Sequence, residues 1–139
     1  MHISLNIVLA EDDNDYQEIF KDVLTQVNIP TCLTIVNDGE ELINTLTSPD
    51  SPKYNIIVLD INMPKKNGIE CLEEIRKNKT LGNTFSVILT ASSDKHLMDK
   101  AYKAGANLFL TKPNSFEDYI ETVRKILTSD WQMNLPIFF

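Results

Sequence analysis

Five short apolar runs, each separated from the next by a segment of helical period, constrain this chain more than any other feature of its sequence. The runs are Ile3 to Ala10, Cys32 to Val36, Asn55 to Leu59, Phe85 to Leu89 and Asn107 to Leu110. They are rich in β-branched and aliphatic residues. The third and fourth show almost no alternation, as parallel strands covered on both faces should. Between them, Tyr16, Ile19, Phe20, Val23, Leu24 and Val27 recur at spacings of three and four. Leu42, Ile43 and Leu46 mark a second helical segment, and Ile69, Leu72 and Ile75 a third that ends in Arg76 and Lys77. Leu97, Met98, Ala101 and Tyr102 precede a stop at Gly105; Phe116, Tyr119, Ile120, Val123, Ile126 and Leu127 follow Ser115, which is placed to cap the fifth helix. This alternation predicts an α/β fold, an open parallel sheet with helices on both faces and right-handed crossovers. With 139 residues the chain reads as one domain with one core. The polar stretch Ser48 to Lys53 reads as a surface loop.

In such sheets ligands bind outside the carboxyl ends of the strands. Glu11, Asp12 and Asp13 follow the first strand and Asp60 ends the third; Thr90 and Ala91 end the fourth, and Thr111, Lys112 and Pro113 the fifth. Acids, a hydroxyl and a lysine thus fall on one rim. Crowded carboxylates need a cation or proton between them, and hard oxygen ligands without His or Cys suit Mg2+. Beside such a metal Asp60 is a workable nucleophile toward an activated phosphoryl group, and a lysine and a hydroxyl are suitable donors to its oxygens.

Leu9 to Asp13, Asp60 to Gly68 (DINMPKKNG), Leu89-Thr90-Ala91 and Leu110 to Pro113 (LTKP) together resemble the four signature blocks of response-regulator receiver domains, in order and spacing over nearly the whole chain. The resemblance implies a flavodoxin-like doubly wound (βα)5 fold, its five-stranded parallel sheet ordered 2-1-3-4-5. It implies that Asp60 accepts the phosphoryl group. Asp12 would bind Mg2+ directly, Glu11 through water, Asp60 by its carboxylate and Asn62 by its backbone carbonyl, with Asp13 peripheral. Thr90 would contact a phosphoryl oxygen and rotate inward, Lys112 would pair with the phosphoryl group, and the Lys112–Pro113 bond would be cis. Asn62 and Ser92 resemble positions that tune phosphoryl lifetime. Phe109 stands where a switching tyrosine is commoner, so a rotamer change there would lack the hydroxyl hydrogen bond. The phosphoryl donor would be a sensor histidine kinase or a histidine phosphotransfer protein. The switching surface would be the fourth helix, fifth strand and fifth helix.

A net charge of −7 without a basic stripe speaks against nucleic acid and anionic membranes as partners. No apolar run approaches the roughly 20 residues of a spanning helix, and no signal peptide is visible, so a cytoplasmic location is expected. Cys32 and Cys71 lack metal-ligand spacing and read as buried free thiols. Tyr102, Phe116 and Tyr119 sit at core spacings; His96 reads as solvated, His2 as part of a frayed end, and Lys65-Lys66 as lining an exposed loop.

The expected organisation is a receiver domain over 1–128 and a tail over 129–139. The tail's Trp131 and Leu135-Pro136 resemble the ends of stand-alone regulators that partner phytochrome-type histidine kinases, while Ile137, Phe138 and Phe139 would pack on the domain or on a second subunit as a homodimer. Output would then run through protein contacts or competition for phosphoryl groups.

Other readings differ in chemistry. The rim acids could merely cap a helix, making the chain a receiver-like interaction module that is never phosphorylated. An aspartate-nucleophile phosphatase would need an aspartate where Asn62 stands, and a nucleophile after the first strand rather than the third.

Overall fold

The computed structural model describes residues 4–129. His2, Trp131 and the apolar tail end, with the readings attached to them, lie outside the described residues. The order is β1 (Leu5–Ala10), α1 (Asn14–Gln26), β2 (Thr31–Val36), α2 (Gly39–Thr47), β3 (Ile56–Leu59), α3 (Gly68–Lys77), β4 (Phe85–Thr90), α4 (Lys95–Ala104), β5 (Leu108–Thr111) and α5 (Phe116–Leu127). All five strands are parallel and the sheet order is β2-β1-β3-β4-β5, the flavodoxin-like arrangement expected.

Apolar continuity in the strands has a simple cause: each face of the sheet has its own core. Ile7, Leu9, Ile56, Val58, Val87 and Leu89 pack with Phe20 and Val23 of α1 and Tyr119, Val123 and Ile126 of α5. The alternating residues Val8, Ala10, Ile57, Leu59 and Ile88 pack with Leu42 of α2, Cys71, Leu72 and Ile75 of α3 and Ala101 of α4. Every residue of β3 and β4 therefore leaves water whichever way it points, contributing roughly 1.5–3 kcal/mol for a large aliphatic side chain.

The helix ends follow local chemistry. Asp13 caps α1 by accepting from Asp15 N and Tyr16 N, and Asp38 caps α2 through Glu41 N. Asn67 and Glu70 form a capping box on α3. Ser115 accepts from Asp118 N at 3.1 Å, as its position predicts, and Gly105 closes α4 in the left-handed region at φ 115°. No helix among the described residues is long and apolar enough to cross a membrane.

Several expectations are corrected. Every described peptide bond is trans, Lys112–Pro113 included. Lys112 N donates to Thr90 O at 2.7 Å, so β5 delivers the lysine to the rim with the bond in the form that X–Pro amides prefer by about 0.5–1 kcal/mol. Cys71 is buried but Cys32 is exposed. The latter is the second residue of β2, an edge strand paired on one side only, and lies in register with the polar Asn6. Tyr119 is core, whereas Tyr102 and Phe116 are each 44% exposed. Phe116 opens α5 immediately after its cap, and Tyr102 lies beside β5, its hydroxyl accepting from Phe109 N at 3.1 Å. His96 is exposed, as read.

Candidate phosphoryl-acceptor site

The parallel sheet brings four strand ends to one rim. Glu11 follows β1, its N–H bonded to Val36 O of β2, and Asp60 follows β3, its N–H bonded to Ala10 O of β1. Thr90 ends β4 and Lys112 follows β5. Backbone pairing thus fixes the roots of residues that lie up to about a hundred positions apart in sequence.

At the centre is Asp60, 7% exposed. Its Oδ1 accepts from Ile61 N at 2.7 Å and its Oδ2 from Lys112 Nζ at 2.8 Å. Lys112 Nζ also lies 2.5 Å from Glu11 Oε1, with both side chains almost wholly out of solvent. Glu11 Oε2 accepts from Asp13 N at 3.2 Å. Carboxylate oxygens of Glu11, Asp12 and Asp60 lie within 4.8 Å of one another, Asp12 being the exposed member. Two of the three rim acids therefore join Asp60, and the third, Asp13, is the helix cap. The capping reading of the trio therefore applies to Asp13 alone.

Burial pushes the Glu11 carboxyl above its ordinary value, opposed only in part by Lys112. Burial works against the charge of Lys112, but its hydrogen bonds to Asp60 and Glu11 outweigh it and hold the ammonium protonated above its usual range. Thr90 Oγ1 is buried with no hydrogen-bond partner among the described residues. A buried hydroxyl left so is uncommon and suits a group that arrives later.

The loop after Asp60 is shaped by Gly68. Its N–H donates to Ile61 O at 2.9 Å, and a β-carbon at this position would stand 2.3 Å from the backbone oxygen of Asp60. Only glycine permits that approach. Asn62 is exposed in the same loop, and Ser92 accepts from Asp94 N at the start of α4. Lys65 is exposed, as read, while Lys66 is half-buried and bonded to Glu74.

One contact was invisible in the sequence: the Tyr16 ring lies over Lys112 Nζ, 3.7 Å from its centroid. Tyr16 fits the core period of α1, so periodicity conceals it. Its place in the first turn, three residues after the cap Asp13, is the one signal that sets it beside the rim.

The family model for the response regulator receiver domain matches residues 7–124. The chain belongs to the response-regulator receiver family. Response regulator Rcp1 of Synechocystis sp. is 33% identical over 124 residues, covering 86% of this chain and 84% of that protein. A crystal structure of the Mn(2+)-bound form of Rcp1 superposes with a TM-score of 0.82 at 30% identity, over 97% of this chain and 99% of that one. The phosphorylated cyanobacterial phytochrome response regulator RcpA superposes with a TM-score of 0.85 at 25% identity, over 96% and 98% of the two chains. As a receiver domain, the chain is a signalling module of two-component systems. The family's function is to accept a phosphoryl group from a histidine kinase on an aspartate.

Proposed function

We propose that Asp60 is the acceptor and that residues 1–128 form a Mg2+-dependent phosphorylation switch acting in the cytoplasm, with 129–139 as its tail. The observation that carries this is the Asp60 carboxylate, held by Lys112 and Ile61 N and grouped with Glu11 and Asp12. Two cavities of about 490 Å3 lie elsewhere, one along α2 with Asp38, Glu41 and Tyr54 and the other with Tyr54, Asn78 and Leu81, and neither includes Asp60.

The donor set fits a small hard cation: Glu11, Asp12 and Asp60 supply oxygens, with the Asn62 carbonyl as a further ligand, and no His or Cys is present. Mg2+ is the natural choice, and the relative Rcp1 carries Mn2+ at comparable fold coverage. A divalent ion held there offsets the charge of the carboxylates and of the incoming phosphoryl group.

In the transfer, a carboxylate oxygen of Asp60 attacks phosphorus, the O–P bond forms and the N–P bond of a phosphohistidine breaks. The bonding pair leaves on the imidazole nitrogen of the kinase or phosphotransfer protein. Lys112 follows a phosphoryl oxygen, Thr90 Oγ1 gains the partner it lacks, and Asn62 and Ser92 flank the product. Water later hydrolyses the acyl phosphate to the carboxylate and inorganic phosphate, so the domain promotes its own phosphorylation and dephosphorylation without turning over an external substrate. The new charge, about −1.5 to −2 at neutral pH, is read out at the surface of α4, β5 and α5, with Phe109 among its responding residues. The likeness to the phytochrome response regulator RcpA supports a phytochrome-type histidine kinase as donor.

Intact mass after incubation with phosphoramidate and Mg2+ tests this. One phosphoryl adduct is expected, absent in Asp60→Asn and without Mg2+. An unmodified wild-type mass with small donors and with candidate kinases alike would leave a receiver fold used only for binding.

A further inference from the structure

The geometry points to Tyr16 as a positioning residue for phosphoryl transfer, acting through Lys112; this rests on Asp60 being the acceptor. Lys112 Nζ is enclosed on three sides, by Glu11 at 2.5 Å, by Asp60 at 2.8 Å and by the Tyr16 ring at 3.7 Å to its centroid. The aromatic face is an electrostatic partner for the ammonium and, unlike water, neither exchanges nor carries a proton away.

What holds the ring is local. Asp13 accepts from Tyr16 N at 3.3 Å, while its own N–H donates to Glu11 Oε2. Glu11, Asp13, Tyr16 and Lys112 therefore close a ring of contacts in which the cap of α1 sets the lysine of β5. No other aromatic ring is placed over a cation among the described residues.

The placement has a consequence for transfer. Lys112 must stay on the phosphoryl side of Asp60 as charge passes from donor to acceptor, yet Glu11 competes for the same ammonium. A ring across the remaining face restricts Nζ to positions between the two acids. Such a fixed cation assists the transition state more than a mobile one, because it needs no reorganisation as the charge develops. The ring meets the site through Lys112 Nζ, so its effect exists only while Lys112 is present.

A double-mutant cycle reads this directly. Phosphorylation by phosphoramidate with saturating Mg2+ is followed by intact mass for the unaltered protein, Tyr16→Leu, Tyr16→Phe, Lys112→Ala and the Tyr16→Leu/Lys112→Ala pair. Tyr16→Leu is expected to slow transfer about five- to ten-fold, the range a partly buried cation–π contact supports. Tyr16→Phe restores the rate to within about two-fold. With Lys112→Ala in place, Tyr16→Leu costs nothing further. Equal loss in both backgrounds, or a Tyr16→Phe protein as slow as Tyr16→Leu, would overturn the assignment. Should Tyr16→Leu not fold, Tyr16→Met carries the same comparison. An unaltered protein that takes no adduct removes the Asp60 reading itself; one that takes it at the Tyr16→Leu rate removes only the role of Tyr16.

Discussion

Lys112 Nζ lies 2.8 Å from Asp60 Oδ2, joining two buried side chains that are 52 residues apart in the sequence. The same ammonium also serves Glu11, so one positive charge is shared by two carboxylates that have little access to water. Without it both acids would be left buried with no cationic side chain beside them.

Removing that charge should therefore make the fold depend on metal. Lys112→Ala is expected to cost about 3–5 kcal/mol in chelator, as for other broken buried pairs. Added Mg2+ should return more stability to the variant than to the unaltered protein, since it replaces the missing cation. Urea denaturation with EDTA or Mg2+ measures both effects. Equal stabilisation of the two proteins by Mg2+ would show that Lys112 and the ion do not share a role.

The two cysteines should separate cleanly. Cys71 is buried with its Sγ 3.6 Å from Gly39 O, and burial pushes its thiol up from 9.0 to about 12. Native protein should release one thiol equivalent to a disulfide reagent at pH 8, from exposed Cys32, and a second only in denaturant. Because the folded thiol keeps its proton where the unfolded one loses it, stability is full below about pH 9 and falls as pH rises toward 12. Tyr119, raised by burial, and Lys112, raised by its acidic partners against burial, act in the same direction above about pH 10. Cys71→Ala should flatten the decline that begins near pH 9. An unchanged slope would place that loss elsewhere.

At the opposite end of the sheet, Arg76 gathers the chain. Its guanidinium donates to Gly105 O, Gly82 O, Thr84 O and Asn107 Oδ1 at 2.7–3.3 Å. Arg76→Ala leaves those carbonyls short of donors and is expected to cost about 2–3 kcal/mol. Gly105→Ala adds a left-handed strain and puts its β-carbon 2.6 Å from Arg76 Cγ. Chemical denaturation of the pair should show less loss than the sum of the singles, because removing Arg76 clears the collision. Strict additivity would argue that only backbone strain matters at Gly105.

Lys65 holds φ at 68°, a left-handed conformation unusual for a side chain of its kind. Its compensation is small: the ammonium lies 3.8 Å from Asp38 and is mostly solvated. Lys65→Asn should raise stability by about 0.5–1 kcal/mol, roughly 2–4 °C in thermal midpoint. A lower midpoint would mean that the ion pair outweighs the strain.

Strand count, the parallel sheet and the rim acids were legible in the sequence because each is written in local pattern: unbroken apolar runs, 3.6-residue periods, and polar residues at strand ends; the strand order came only with the resemblance to receiver domains. What stayed hidden depends on edges and on side chains that meet across elements. Cys32 reads as core until β2 is known to be an edge strand. Tyr102 and Phe116 keep helical spacing yet stand beyond the sheet's cover. The trans Lys112–Pro113 bond depends on how β5 enters the rim, which the residue pair alone does not encode. Tyr16 reads as packing because nothing near it in sequence announces that Lys112, 96 residues on, will lie against its ring.

The hydroxyl of Tyr102 on Phe109 N has a bearing on how copies of this protein avoid one another. A parallel sheet ends in an open row of donors and acceptors, and such a border recruits foreign strands. Here one outward donor of β5 is already occupied by the chain's own helix α4. A visitor seeking to extend the sheet at Phe109 must first displace a phenol that core spacing alone would have placed out of sight.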